Sequence, residues 1–273
     1  MIQRFSQTKN IFLVIALGFL FLLVGCSDSS STKEEAEQSK VAEIKEKGKI
    51  VIATGNYFPF EYHDQKLNKL VGYDIDLGER IAEELGVEVE WSEMQFQTLI
   101  PSLQNNQADL AIAAMYMTDE RKEVVDFAEP YLSTGQVLVK LKGDTSINSV
   151  DDLEGKTIGV KSGATSEKTA NDLKAQGVDL EIKSYKETID YLTDLELGRV
   201  DAVFNDYLNQ LGYFQTKPDS KAEIVGEPID HAELGIAANK GNDDLLEVVN
   251  DVLQEMEESG EKEDLFNKWL PKQ

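Results

Sequence analysis

Apolar residues along this chain come in two patterns: short runs, and longer stretches where they recur every three or four positions. The runs read as strands. They are KIVIAT (49–54), VEVEW (87–91) and ADLAIAA (108–114), followed by QVLVK (136–140), KTIGVK (156–161), LEIKSY (180–185), VDAVFND (200–206) and LGIAAN (234–239). The periodic stretches read as helices. DIDLGERIAEELG sets Leu77, Ile81 and Leu85 on one face, with Asp74 as N-cap and Gly86 as the stop. QTLIPSLQNN predicts a short helix with Pro101 early in it, and SEKTANDLKAQG and TIDYLTDLELG predict two more. NDDLLEVVNDVLQEMEESG carries Leu245, Val249, Val252 and Met256 on one stripe, and a last short helix holds Leu265 and Trp269. Strand and helix alternate at short spacing, which predicts an α/β architecture with a largely parallel sheet. DDLEGKTIGVKSGATSE restarts the pattern of strand, tight glycine turn and helix start, so two similar lobes are expected, not one long sheet. No short sequence repeat is present, which argues against a solenoid.

The first 25 residues follow another logic. MIQRFSQTKN carries Arg4 and Lys9 and no acid, and the apolar run IFLVIALGFLFLLV is shorter than the roughly 20 residues of a membrane span. This is the design of a secretory signal peptide. LVGC, ending at Cys26, resembles a bacterial lipobox, which implies that Cys26 becomes a lipidated N-terminus. Residues 26–40, polar and acidic without an apolar face, read as a flexible tether, and the fold is expected to begin near Val41. Cys26 is the only cysteine, so no intrachain disulfide can form.

Charge narrows the class of partner. Acidic residues outnumber basic ones 51 to 27, for a net charge of -24. Nucleic acid and anionic lipid headgroups are therefore poor partners. Metal and acyl-transfer motifs are missing too: the sequence has no HExxH, no CxxC and no Gly-x-Ser-x-Gly, and no cofactor is expected.

What remains is a set of single residues. Arg121 lies three positions after Thr118, a good N-cap type, so a cation occupies the first turn of a helix, where the dipole favours negative charge. Either Asp126 or Glu129 neutralises it, or its planar fork awaits a carboxylate. In VKSGATSE, Gly163 permits a sharp turn after a strand, and Ala164, Thr165 and Ser166 start a helix whose free amides suit an anion, with Lys161 just before them. Asp206 is either an N-cap or a carboxylate at the C-terminal end of a strand, where open α/β sheets bind ligands. Tyr57 and Phe96, in loops just beyond strands, are candidates for the walls of a pocket. Converging, these groups would make a receptor for a zwitterion.

From about Val41 to Trp269 the chain resembles the family 3 extracellular solute-binding proteins, the amino-acid receptors of ABC importers. The phrases that carry the resemblance are FPFEY, GYDIDLGERIAEELG, MQFQTLIPSLQ, DLAIAAMYMTDERKEVVDFAEPY, LEGKTIGVKSGAT and VDAVFND, in the family's order and spacing. The resemblance implies a type II periplasmic-binding-protein-like fold, with residues 41–133 and 231–273 in one lobe and 134–230 in the other. Two crossings, near Tyr131–Gly135 and Ile229–Glu233, would serve as hinges. By position, Arg121 is similar to the family's carboxylate-binding arginine and Asp206 to its ammonium partner. Ala113 and Ala114 match a turn whose carbonyl meets the ammonium, Tyr57 and Phe96 the aromatic walls, and Lys161, Ala164 and Thr165 the second lobe's loop. The departures are Ala114 for glycine, Ala164 for threonine, and Tyr116 where threonine or serine is usual; Tyr116 puts a large ring beside the ligand. Gly55 and Asn56 stand where an aspartate is common, which weighs against strongly basic ligands. The implied protein is an extracytoplasmic, lipid-anchored receptor that delivers its ligand to a permease and its ATPase. Polar neutral amino acids are favoured, with cystine and compact zwitterions such as ectoine also open. A sensory lipoprotein or a dehydratase-like enzyme on the same fold are the alternatives.

Overall fold

The computed structural model describes residues 39–270. Its first element is one that the hydrophobic pattern does not announce. Helix α1 (Lys40–Lys47) is capped by the Ser39 side chain, so the last two residues of the segment read as tether already belong to the fold. Long-range polar contacts hold it: Lys40 pairs with Asp109 at 2.6 Å, and Asp244 accepts from Ser39 Oγ and the Val41 amide.

Strand β1 (Lys49–Thr54) follows, then a small hairpin of β2 (Tyr62–Asp64) and β3 (Lys69–Val71). Helix α2 (Tyr73–Leu85) buries Leu77, Ile81 and Leu85 as its periodicity demands, and Gly86 ends it in the left-handed region. Asp74, expected as its N-cap, is not one. The cap position is Gly72, and Asp74 is inside the helix and fully buried, receiving the Ala114 amide at 2.7 Å and the Tyr131 hydroxyl at 3.1 Å. After β4 (Glu88–Glu93), a 3-10 turn leads into α3 (Leu99–Gln104). The run at 108–114 is mostly buried irregular backbone, with only β5 (Leu110–Ala111) in ladder pairing. Helix α4 (Asp119–Lys122) is a single turn capped by Thr118, and β6 (Asp126–Phe127) follows it.

The chain then crosses over through β7 (Leu132–Thr134). Here β8 (Gln136–Leu141), β9 (Thr157–Lys161), α5 (Thr165–Ala175), β10 (Glu181–Tyr185), α6 (Thr188–Glu196), β11 (Ala202–Asp206), α7 (Tyr207–Thr216) and β12 (Ala222–Val225) build a second layer set. It returns through β13 (Ala232–Leu234), which pairs antiparallel with β7, so the two crossings lie side by side. Gly135 is required at this crossing, because a Cβ there would lie 2.3 Å from the Asp230 carbonyl oxygen. The run 234–239 is split between β13 and β14 (Ala237–Ala238). Helices α8 (Asp243–Ser259) and α9 (Glu261–Trp269) close the chain, with Leu245, Val249, Val252 and Met256 buried along α8.

Two five-stranded sheets result, in orders β4-β1-β5-β14-β6 and β10-β9-β11-β8-β12. In each, four strands share one direction and one, β14 or β8, runs against them, so the sheets are mixed. The strands after the crossings account for this: β14 enters the first sheet, and β8 the second, from the opposite direction. Each sheet has apolar clusters packed on its faces, and Tyr57, Tyr116 and Leu208 belong to a cluster that reaches from the first sheet to α7. Among the described residues, no helix is long and apolar enough to cross a membrane.

Candidate functional site

The loops leaving β1, β5 and the 3-10 turn before α3 face those leaving β9 and β11 across one cavity. Tyr57, Phe96, Ala113, Ala114, Tyr116, Arg121, Lys161, Ala164, Thr165 and Asp206, the residues singled out from the sequence, all line it. About 40 Å³ of it is open to the centre of a water molecule. Its two sides touch. A Cβ on Gly163, which has φ 73°, would lie 2.6 Å from the Gln97 Cβ, and Glu120 and Lys168 pair across the seam at 3.3 Å.

Arg121 sits at the centre of the question its position raised. Asp126 does not neutralise it; that carboxylate pairs with Lys240 at 2.6 Å. The Arg121 guanidinium instead donates to the Tyr116 carbonyl at 2.8 Å and the Gly163 carbonyl at 3.3 Å, and lies 5.1 Å from the Phe96 ring centroid. Among the described residues it has no carboxylate partner. Partial burial lowers its pKa to about 10, and the nearby Glu120 charge only partly opposes the fall. The Gly163 contact brings it to the start of α5, whose cap residue Ala164 offers no side-chain acceptor. The first amides of that helix, on Thr165 and Ser166, have no acceptor among the described residues. A guanidinium and a helix N-terminus therefore share one side of the cavity, a combination suited to a carboxylate.

Asp206 caps a helix and also lines the cavity. Oδ1 accepts the Asn209 amide at 3.0 Å, capping α7. Oδ2 faces the cavity and accepts from the Tyr116 and Thr134 hydroxyls, each at 2.7 Å. Burial raises its pKa, and these hydrogen bonds oppose the rise. Tyr116, the departure from the family pattern, thus spans the seam and holds the carboxylate opposite Arg121.

Lys161 is 7% exposed. Its ammonium lies 4.2 Å from the Tyr57 ring centroid and 5.2 Å from that of Phe96. The two aromatic walls hold a cation of the protein itself. Burial lowers the Lys161 pKa.

Behind the cavity wall lies a carboxyl pair that no sequence motif announces. Glu61 and Asp74 are both fully buried, and among the described residues neither Glu61 oxygen nor Asp74 Oδ1 has a hydrogen-bond partner. Burial, followed by the neighbouring Asp74, pushes the Glu61 carboxyl far above its ordinary range, and burial pushes Asp74 up to about 7. Asp74 in turn fixes Ala114, which has φ 46°, left-handed backbone that an alanine adopts at a cost of roughly 1–2 kcal/mol.

Gln136, Ser166, Tyr191 and Asn205 also line the cavity. Asn205 was within reach of sequence reasoning, since it adjoins Asp206 at the strand end. Gln136 and Tyr191 carried no signal: one reads as strand, the other as a helix core position. His63 bonds Glu93 at an exposed position, and neither it nor His231 lines the cavity.

Two sheets linked by a paired crossing, with a charged cavity at the strand ends between them, define a two-lobed type II periplasmic-binding fold. The model of the bacterial extracellular solute-binding proteins, family 3, matches residues 50–272. The chain belongs to that family. It is 34% identical over 242 residues to the L-cystine-binding protein TcyJ of Escherichia coli K12, covering 88% of this chain and 89% of that one. It is 32% identical over 266 residues to the ABC transporter glutamine-binding protein GlnH of Bacillus subtilis 168, covering 94% and 95%. An ancestral arginine-binding protein bound to arginine superposes with a TM-score of 0.77 at 40% identity, over 81% of this chain and 98% of that one.

Proposed function

We propose that this protein captures a free amino acid between its lobes and delivers it to the permease of an ABC importer. The observation that carries this reading is Arg121, half-buried beside the uncapped start of α5 with no carboxylate of its own among the described residues. The ligand α-carboxylate supplies the missing charge, bound by the guanidinium and the Thr165 and Ser166 amides. Its ammonium faces Asp206, and Tyr57 and Phe96 flank its side chain. Residues 39–133 and 231–270 form one lobe, 134–230 the other, and the β7–β13 pair is the hinge about which they close. The family members named above are binding proteins, and this protein binds without turnover.

A thermal-shift panel of the common amino acids, cystine and ectoine tests the reading. A ligand at a hundredfold excess over its Kd stabilises the fold by about 2.7 kcal/mol. A shift with at least one amino acid is expected; none with any of them refutes the proposal.

Tyr116 bears on affinity. Its hydroxyl competes with a ligand ammonium for Asp206 Oδ2. Tyr116→Phe removes that competitor, and calorimetry is expected to show amino-acid binding tighter by about tenfold, the worth of one hydrogen bond. Weaker binding would mean that the hydroxyl contacts the ligand itself.

The signal peptide and Cys26 lie outside the described residues. We propose that lipid on Cys26 holds the receptor at the outer face of the cell membrane. Cys26→Ala is expected to release the protein from the membrane fraction into the medium or periplasm, read by fractionation.

A further inference from the structure

The charges lining the cavity do not balance. They are two cations, Arg121 and Lys161, and one carboxylate, Asp206. An amino acid with a neutral side chain brings one charge of each sign, which satisfies Arg121 and Asp206 and leaves Lys161 alone. A cationic amino acid does worse, because the slot between Tyr57 and Phe96 already holds the Lys161 ammonium. Lys161 also differs from its neighbours on the same lobe: Lys168 pairs with Glu120 at 3.3 Å and Lys183 with Asp194 at 2.7 Å, whereas Lys161 has no ion pair among the described residues.

The carboxyl groups nearest to it on other elements do not fill that role. Glu61, behind the Tyr57 wall, is fully buried, has no hydrogen-bond or ion-pair partner among the described residues, and has its carboxyl pushed upward by burial and by Asp74, which disfavours its charged form. Glu187, before α6, is half-buried and accepts from the Asn56 amide group at 3.3 Å across the seam. The Lys161 ammonium is thus a buried charge whose present partners are two ring faces, and a ligand carboxylate is a stronger partner than either.

We propose that the ligand is an amino acid with a carboxylate side chain, selected by Lys161. This rests on the amino-acid-receptor reading and replaces the expectation of a polar neutral side chain. A dicarboxylic amino acid brings two negative charges and one positive, the complement of Arg121, Lys161 and Asp206. Lys161 then acts as a specificity residue, with its charge drawn from the rings to the ligand side chain.

Titration calorimetry with L-glutamate, L-aspartate, L-glutamine, L-cystine and L-arginine on the whole protein tests this. The wild type is expected to bind one of the two acidic amino acids at least about tenfold more tightly than the other three, because one uncompensated buried charge separates them. Lys161→Gln is expected to weaken the acidic ligand about 30-fold or more while changing glutamine only a few-fold. Lys161→Met, which fills the aromatic slot without charge, provides a second variant in case the glutamine variant fails to fold. Tighter wild-type binding of glutamine, cystine or arginine overturns the inference and leaves the receptor reading standing. So does an acidic-to-glutamine preference that survives both substitutions. If none of the five binds, the inference falls, and the receptor reading falls with it only if the full thermal-shift panel is also without a shift.

Discussion

Arg121→Ala is expected to weaken amino-acid binding by about 100- to 1,000-fold without destabilising the unliganded fold. Two different costs explain the split. In the complex, removing the guanidinium leaves a buried ligand carboxylate with only helix amides as partners, and breaking one side of a buried ion pair costs about 3–5 kcal/mol. In the free protein the guanidinium has no ion pair among the described residues: its partners are two carbonyls and a ring, and burial draws its pKa down to about 10 despite the nearby Glu120 charge. Deleting it relieves that burial cost. Calorimetry and thermal melts of the same variant read both halves. Binding lost together with a large fall in unliganded melting temperature would show that Arg121 holds the fold and would remove it from the ligand site.

The second large effect concerns pH. Asp74 has an ordinary pKa of 3.8 and is raised by burial to about 7 in the folded protein. Between those values the unfolded chain has released the proton that the folded protein still holds. Stability therefore falls as pH rises through that window, and the loss is complete above the folded pKa. From pH 5 to pH 8 this single group is expected to remove about 2–3 kcal/mol, because each tenfold difference in proton affinity between the folded and unfolded states is worth about 1.4 kcal/mol. Asp74→Asn abolishes the titration and keeps an oxygen for the Ala114 amide. Its urea-unfolding free energy is expected to change correspondingly less between those two pH values than that of wild type. An equal pH dependence in both proteins would assign the effect elsewhere. The consequence reaches the cavity, because Asp74 holds Ala114 and the Tyr131 hydroxyl together beneath it.

Asp74 also marks a limit of local reading. An aspartate at the start of an amphipathic stretch has the signature of an N-cap, and only the packing of α2 against the Ala114 turn puts it in the first helical turn, under the cavity floor. Helix α1 escaped notice for a related reason. Its eight residues are mostly polar, too short and too weakly amphipathic to be stable alone. It forms because Asp109 and Asp244, far along the chain, receive Lys40, Ser39 and Val41.

The succession of strands and helices was legible in the residues alone, because the burial of one face imposes a period of two or of 3.6 on them. So were the candidate ligand groups: Arg121 was visible as a cation at the wrong end of a helix dipole, and Asp206 as an acid at a strand terminus. What those charges meet emerged only on folding. Asp126 turns to Lys240, 114 residues away, and leaves Arg121 without an ion pair among the described residues, while the Tyr116 hydroxyl reaches Asp206, 90 residues away. Lys161 ends between Tyr57 and Phe96 from the other lobe. Charge pairing depends on distances of a few ångströms between residues remote in sequence, and the folding of two sheets against one seam sets those distances.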